Sequence, residues 1–265
     1  MYATNYHRAS SVADAVRLKG AGEETKYVSG GMTLIPTMKQ RLAAPSDLVD
    51  LRHVAEMKGI TVSGGTVRIG AATTHAEVAS SAEIKAACPA LSHLASLIGD
   101  PHVRHMGTVG GSVANNDPAA DYPSAMLALG ATIVTDRRRI AADDFFTGLF
   151  ETALNEDEII VAVEFAAPEK AGYSKFPNPA SRYAMTGVFV AKSASGVRVG
   201  VTGAGSDGVF RHSGMEQALA GNFSPDALSG VTTDPADMLS DLHGSAEYRA
   251  NLVNVMARRA VAAAT

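Results

Sequence analysis

The sequence is poor in the residues that build metal centres and disulfides. It contains one cysteine, Cys88, in 265 residues. A single thiol cannot form an internal disulfide, and it cannot supply the set of cysteine ligands that an iron–sulfur cluster or a structural zinc site needs. Walker A and G-x-S-x-G motifs are also missing, so neither a P-loop nor an α/β-hydrolase has support. We therefore predict no metal site in this chain.

The sequence also lacks a large excess of positive or negative charge, and it lacks long apolar runs. The chain carries 23 Lys and Arg against 27 Asp and Glu, for a net charge of -4. Without a basic excess to neutralise phosphates, dedicated nucleic-acid binding is not expected. No run of about 20 apolar residues occurs, so we predict no membrane span. Residues 1–8 lack the apolar core of a signal peptide, and we expect a cytoplasmic protein.

The residues that are present are those of a packed globular protein. Hydrophobic residues make up 46% and charged residues 19% of the chain, which excludes wholesale disorder. The length allows one large or two modest domains. The 25 glycines direct attention to sites where the bare backbone recognises a ligand.

The N-terminal part predicts a small parallel βαβ-like unit. Ser10 and Ser11 can cap a helix over 12–19. Residues 25–28 form a predicted strand, which is stopped by a glycine pair. A helix over 32–42 and a strand over 47–51 follow.

The middle of the chain predicts mixed helix and sheet, with antiparallel pairing. A hairpin is expected around Gly64-Gly65, because the flanking residues alternate with period two. Further predicted elements are helices from near Ala76, over 89–98 and from Pro123, and strands over 131–135 and 158–165, with Ile159, Val161, Val163 and Phe165 on one face. The polar, glycine-rich passage over 99–121 is expected to be a long loop.

The last part predicts an antiparallel hairpin followed by helices. Three prolines over 167–179 and little periodicity indicate a domain boundary there. The hairpin turns at Ala194-Ser195, and apolar residues at helical spacing follow near 215–219 and 248–256. The fold class is therefore α+β, in three ranges: 1–55, 56–168 and 169–265.

Two glycine turns are candidate cofactor contacts. Val28–Ile35 follows a predicted strand and enters a predicted helix, so its N–H groups and the helix start could face a diphosphate. Taken alone, an ordinary strand-to-helix turn is the better interpretation. The second segment, Gly107–Pro118, is so polar that a ligand would offset its ordering entropy. The alternative is an Ω-loop closed by its own Asn side chains.

Two other patterns are weaker. Gly203–Gly208 matches G-x-G-x-x-G but follows a hairpin strand and opens no clean helix, so we interpret it as a loop. His102 and His105 form half of a metal motif, with no acidic or cysteine cluster nearby to complete it. Asp121, taken alone, is a helix-entry acid.

Together the two turns resemble the FAD-binding medium subunit of the molybdenum hydroxylases, a family with carbon monoxide dehydrogenase, xanthine dehydrogenase and aldehyde oxidoreductase types. Ser29–Thr33 matches the family's A-G-G-x-[ST] loop, and Thr108–Ser112 matches T-[IV]-G-G-[NS]. Asn116–Pro123 is similar to the D-P-x-x-D-x-P continuation. Arg104–Gly107 is similar to the R-N-x-G lead-in, with His105 in place of Asn.

The resemblance implies a fold, a cofactor and partners. The fold would be two FAD-binding subdomains, a small α/β part over 1–55 and an α+β part over 56–168, then a C-terminal domain of antiparallel sheet with helices. This chain would carry FAD. A small iron–sulfur subunit and a large molybdenum-cofactor subunit would carry the other centres, in a dimer of heterotrimers that passes electrons to an external acceptor. No side chain here would be catalytic for the hydroxylation.

The resemblance also implies roles for single residues. Backbone at the two glycine pairs would hold the diphosphate, and nearby hydroxyls would donate to it. The residues with implied cofactor contacts are Val28, Ser29, Gly30, Gly31, Met32, Thr33, Leu34, Ile35, Thr108, Val109, Gly110, Gly111, Ser112, Asp121, Ile160 and Tyr183. Some relatives place a lysine near the flavin where this chain has Pro177, so Lys175 and Arg182 are the candidate replacements.

Two other functions stay open at this point. One is a self-contained FAD-dependent oxidase or reductase of the wider fold, for which the chain is short. The other is a non-enzymatic small-ligand module in which the glycine turns are purely structural.

Overall fold

The N-terminal part is a three-stranded parallel sheet with two helices. A computed structural model describes residues 1–20 and 22–265. The elements are β1 (Asn5–Arg8), α1 (Val12–Lys19), β2 (Thr25–Val28), α2 (Leu34–Lys39) and β3 (Asp47–Asp50), and the strand order is β1-β3-β2. The predicted parallel pair β2–β3 and the helix capped by Ser11 are confirmed. Strand β1 was not predicted, because its residues are polar and mostly exposed.

The middle part is a five-stranded antiparallel sheet covered by short helices. Its strands are β4 (Ile60–Ser63), β5 (Thr66–Gly70), β6 (Thr132–Thr135), β7 (Arg139–Ala141) and β10 (Ile160–Ala166), in the order β4-β5-β10-β6-β7. A small hairpin of β8 (Phe146–Gly148) and β9 (Glu151–Thr152) lies beside it. The hairpin at Gly64-Gly65 is confirmed.

Seven helices belong to this middle part within the described residues. They are α3 (His75–Ser80), α4 (Ala82–Ala87), α5 (Pro89–Ser96), α6 (Pro101–Met106), α7 (Val109–Asn115), α8 (Tyr122–Ala128) and α9 (Ala142–Phe145), and a 3₁₀ turn over Ala55–Met57 precedes the sheet. Helix α3, which agrees with the helix predicted from near Ala76, begins with a complete capping box between Thr74 and Glu77.

The C-terminal part is an antiparallel sheet with helices on it. The strands are β11 (Lys170–Pro177), β12 (Ala184–Ser193), β13 (Gly196–Thr202) and β14 (Phe210–Arg211), in sequential order. The helices are α10 (Ser213–Gly221) and α11 (Ala246–Ala262), with 3₁₀ turns at Pro225–Leu228 and Pro235–Asp237. The α+β class and the hairpin at Ala194-Ser195 are confirmed. Gly203–Gly208 is a loop between β13 and β14, as predicted.

The predicted boundary segment over 167–179 contains β11, which pairs with β12 over its whole length. Two expectations are wrong. The passage over 99–121 contains α6 and α7, whose first turns are capped by the side chains of Asp100 and Thr108. Strand β10 does not bury one face only, because it is a central strand with a bulge; Ile160, Ala162 and Val163 are all buried.

The main hydrophobic core joins the middle and C-terminal parts. Tyr173 and Phe189 of the C-terminal sheet pack into the same cluster as Ile69, Tyr122 and Val163. A second cluster lies between β12, β13 and the helices α10 and α11. Each of the three larger sheets falls inside one predicted range, and the division into 1–55, 56–168 and 169–265 stays a prediction. Among the described residues, none of the helices combines the length and the apolar character that crossing a bilayer requires.

Candidate functional site

The two glycine turns touch each other. The Thr108 hydroxyl donates to the Ser29 hydroxyl oxygen over 3.1 Å, across 79 positions of sequence. A Cβ atom on Gly30 would stand 2.1 Å from the carbonyl oxygen of Met106 and 2.7 Å from the Cα of Gly107. Such distances are far inside van der Waals contact, so only glycine allows this approach. The turns therefore form one structure at one site.

The joined turns open into a large cleft between the three parts of the chain. Its volume is about 1060 Å³, which reaches the upper end of the range of roughly 300–1,000 Å³ for small-molecule sites. The lining comes from 26–34, from α6 and α7, from the β8–β9 hairpin and the segment after it, and from 181–183. A cavity of this size, lined by all three parts of the chain, has room for a large ligand.

All residues with implied cofactor contacts line this cleft except two. Ile35 and Val109 point elsewhere: Ile35 packs beneath Gly31 in a small cluster with Val28, and Val109 is fully buried in the main core. Both side chains therefore anchor their turns to the hydrophobic clusters and do not face the cleft.

The first turn presents unused backbone donors. The N–H groups of Gly30, Gly31, Met32 and Thr33 make no hydrogen bond to any residue of the described part of the chain. Gly31 has φ of 70°, which disfavours any other residue there. Met32 and Thr33 are exposed toward the cleft, where α2 begins. Consecutive free N–H groups just before a helix favour an anionic group such as a phosphate.

The second turn differs, because its donors are already used. The N–H of Val109 donates to the carbonyl of Thr73 and that of Gly110 to the carbonyl of Ala71, over 3.0 and 2.8 Å. The N–H of Gly111 donates to the Thr108 hydroxyl over 3.2 Å, as the N-cap of α7. The N–H groups of Val109, Gly110 and Gly111 are therefore already paired within the chain.

The second turn instead provides open space for a ligand beside its backbone. A Cβ atom on Gly110 would stand 2.5 Å from the Cβ of Ala71, so Gly110 packs against the scaffold. A Cβ on Gly111 would meet only the Thr108 hydroxyl, at 3.0 Å, and the residue faces the cleft. Ser112 also lines the cleft. A ligand can approach the bare backbone at Gly111 closely.

Asp121 stands at the entry of α8, as expected, but its side chain makes no cap hydrogen bond and is a buried acceptor instead. It is 4% exposed. One carboxylate oxygen accepts from the Tyr173 hydroxyl over 2.5 Å and lies 3.0 Å from the Lys175 ammonium nitrogen. Burial raises the pKa of the Asp121 carboxyl, and the Lys175 ammonium opposes that shift. The ion pair fixes the carboxylate at the cleft wall.

Lys175 and Arg182 therefore occupy different positions. The Lys175 ammonium also donates to the carbonyl of Leu97 over 3.2 Å and is buried. Arg182 is exposed at the rim, with φ of 64°, and its side chain reaches the carbonyl of Gly99 at 3.5 Å. Of the two candidate replacements, Lys175 is the one held against Asp121.

Ile160 and Tyr183 line the cleft from two different sheets. Ile160 is buried in β10 of the middle sheet. Tyr183 is 45% exposed and precedes β12 of the C-terminal sheet. Partial burial and the carboxylates of Asp117 and Asp121 raise the pKa of the Tyr183 phenol. Both residues are available to contact apolar or flat parts of a ligand.

His75 is a cleft residue that the sequence did not reveal. It is 5% exposed, and its ring packs against Tyr122 with centroids 5.3 Å apart. A Cβ atom on Gly107 would stand 2.6 Å from its Nε2. Burial, with Arg104 nearby, lowers its pKa to about 4, so the ring is neutral at pH 7. The only local signal is the helix cap at Thr74, which says nothing of a cleft.

The β8–β9 hairpin is the second feature that sequence reasoning missed. Thr147, Phe150 and Glu151 line the cleft, and they lie in a stretch too short and irregular for a periodic signal. Within the described residues no group of histidine, cysteine and acidic side chains could hold a metal ion. His102 and His105 lie exposed on α6.

Comparison with known proteins identifies the family of the chain. Residues 2–168 match the family described as the FAD binding domain in molybdopterin dehydrogenase. The chain is 34% identical to the carbon monoxide dehydrogenase medium chain of Hydrogenophaga pseudoflava, over 98% of this chain and 96% of that one. It is 35% identical to the nicotine 6-hydroxylase medium subunit of Paenarthrobacter nicotinovorans, with the same coverage of 98% and 96%.

A solved structure shares the whole fold. It is the carbon monoxide dehydrogenase of Hydrogenophaga pseudoflava that lacks the Mo-pyranopterin moiety of its molybdenum cofactor. One of its chains superposes with a TM-score of 0.87 at 34% identity, covering 99% of this chain and 97% of that one.

Proposed function

The chain belongs to the family of FAD-binding medium subunits of molybdenum-containing dehydrogenases, and from this we propose that it is the FAD-carrying electron-transfer subunit of such an oxidoreductase complex. In that role it takes electrons from iron–sulfur clusters of a partner subunit. It passes them to an external acceptor. Bound FAD supplies the reversible uptake and release of electrons, and the protein supplies binding, orientation and electrostatics.

The observation that carries the proposal is the contact between the two turns. The Ser29–Thr108 hydrogen bond brings the free N–H groups of the first turn beside the bare backbone of Gly111. This arrangement fits a diphosphate: the donors of the first turn face its charge, and Gly111 leaves room for its approach. The alternative of purely structural turns has less support, because the first turn leaves its N–H groups without a partner among the described residues, and the one on Gly30 belongs to a buried residue.

The remaining contacts are proposed for the two ends of FAD. Ile160 would pack against one end from the middle sheet, and Tyr183 would lie near the isoalloxazine from the C-terminal sheet. Asp121, held by Lys175, would accept a hydrogen bond from the sugar or the ring. Ile35 and Val109 would act through the backbone turns that they anchor.

The partners follow from what this chain cannot carry. Cys88 is buried, and burial raises the pKa of its thiol to about 12, so it is not a thiolate ligand at pH 7. Iron–sulfur clusters would reside on a small subunit and the molybdenum cofactor on a large one. A dimer of these heterotrimers, in the cytoplasm, completes the proposal. Substrate would be oxidised on the large subunit, so this chain needs no catalytic acid or base.

Purification of the chain from its native host tests the proposal directly. Molybdenum, iron and FAD that elute together with two further chains are the expected result. A purified chain that oxidises a substrate alone would instead identify a self-contained FAD oxidase. A solitary chain that shows no flavin absorbance, even after incubation with FAD, would overturn the FAD assignment.

A further inference from the structure

The β8–β9 hairpin carries an aromatic side chain at the edge of the cleft. Its two-residue loop is Leu149-Phe150, between Gly148 and Glu151. Phe150 is 59% exposed and lines the cleft. Its φ of 56° lies in the left-handed region, where a non-glycine residue is uncommon. An exposed phenyl group on a strained backbone is unfavourable in the isolated chain.

The strained position is held from below by Asn116. The buried Asn116 side chain donates to the carbonyls of Gly148 and Glu151, over 2.9 and 2.8 Å. The N–H of Phe150 donates to the carbonyl of Asn116 over 3.2 Å. Strain of this kind persists only where the surroundings determine it, and it clusters at ligand sites. The hairpin tip is therefore fixed in place and is not a free loop.

Helix α7 connects this tip to the second glycine turn. Thr108 caps its first turn, and Asn116, with φ of 42°, ends it. Seven helical residues span about 10 Å, so Phe150 stands at a set distance from the proposed diphosphate position. Gly111 and Ser112, on α7, and Phe150 all line the same cleft.

The neighbouring residue provides a contrast. Leu149 is also exposed, at 43%, but does not line the cleft. Its side chain lies toward the loop at Gly208, 3.7 Å from where a Cβ atom there would stand. Of the two adjacent apolar residues at the hairpin tip, Phe150 lines the cleft and Leu149 does not.

We propose that Phe150 packs against a flat ring of bound FAD, as a further binding residue that orients the cofactor. This inference rests on the proposed function. Aromatic faces gain from offset stacking on another ring, and burial of the exposed phenyl group against it adds hydrophobic stabilisation. The fixed tip makes the contact available without further ordering of the chain.

The test is titration of the full chain with FAD and with FMN, which lacks the adenine ring. We expect Phe150→Ala to weaken FAD binding at least tenfold and Phe150→Tyr to keep it within about threefold. Leu149→Ala is the matched control, with an expected change below twofold. Urea unfolding of each variant without flavin shows whether the fold is intact.

The two titrations distinguish the rings. Equal losses of FAD and FMN affinity in Phe150→Ala, with altered flavin fluorescence, support contact with the isoalloxazine; a loss for FAD alone supports contact with adenine. Unchanged FAD affinity, or an equal loss in Leu149→Ala, overturns the inference. A second overturning result comes from purification of Phe150→Ala from the native host. If this variant keeps its FAD but loses the co-purifying chains, Phe150 contacts a partner protein and not the cofactor. Failure of the wild-type chain to bind any flavin would instead reject the proposed function.

Discussion

The two glycine turns both combine a glycine pair with hydroxyl residues, but they use their backbone N–H groups differently. Ser29–Thr33 leaves its backbone donors free, whereas Thr108–Ser112 uses its donors to cap α7 and to hold it against Thr73 and Ala71. A glycine pair in a sequence therefore indicates a close approach of the backbone to a neighbouring group. It does not indicate whether that group belongs to a ligand or to the protein itself.

The same distinction applies within each pair. Gly30 and Gly110 pack against protein, at Met106 and at Ala71. Gly31 is needed for its left-handed φ, and Gly111 leaves space in the cleft. Substitutions at the four glycines should therefore separate effects on the fold from effects on the cofactor.

The largest effect is expected at Gly30. Gly30→Ala places a methyl group 2.1 Å from the Met106 carbonyl oxygen, which is backbone and cannot rotate away. We expect a loss of about 3 kcal/mol or more in the free energy of unfolding, together with loss of FAD binding. Urea unfolding and flavin titration measure the two effects. An unfolding midpoint equal to that of the wild type would show that the turns can separate without cost.

Gly111→Val should affect the cofactor far more than the fold. The added side chain projects into the cleft where the diphosphate is proposed, so FAD affinity should fall about 100-fold or more, which is about 2.7 kcal/mol. The free energy of unfolding without flavin should change by about 1 kcal/mol or less, since the added Cβ meets only the Thr108 hydroxyl. Gly111→Ala should give a smaller loss of affinity. Unchanged FAD occupancy in the valine variant would remove Gly111 from the site.

His75, which backs the second turn at Gly107, makes stability depend on pH. Its pKa is lowered to about 4 from an ordinary value of 6.5, so the unfolded chain binds the proton more tightly. The contribution of neutral His75 to the free energy of unfolding is fully present above pH 6.5. It should fall by about 3 kcal/mol as the pH drops toward 4.

Comparison with His75→Gln isolates this contribution. The variant should lose that part of the pH dependence between pH 6.5 and 4, as measured by urea unfolding at several pH values. Parallel curves for the two proteins would show that His75 does not titrate as a buried group.

The smallest effect is expected at the hydrogen bond between the turns. Ser29→Ala removes the partner of Thr108 and should cost about 1 kcal/mol of stability. Thr108→Ala should cost about 1 kcal/mol more, because Thr108 also caps α7. Equal costs for the two variants would show that the cap contributes nothing beyond the contact between the turns.

Much of the local structure was predictable because it depends on neighbours in sequence. The capping box at Thr74, the helix after Ser11 and the hairpin at Gly64-Gly65 all follow from residues within a few positions. Helix α7 was missed because Gly110 and Gly111 disfavour a helix interior. Helix α6 contains no glycine, but it is only six residues long and lies between Gly99 and Gly107. Their caps at Asp100 and Thr108 were visible signals, but packing against the scaffold stabilises α7.

The sequence by itself determined the class of fold, the short elements and the two motifs that identify the family. Only the tertiary structure decided that Ser29 meets Thr108, that Lys175 pairs with Asp121, and that Phe150 enters the cleft. The physical reason is that these contacts join residues far apart in the chain, and the packing of the sheets against one another closes them. A local pattern specifies which groups a segment offers, whereas the path of the whole chain specifies which of them are already used and which remain for a ligand.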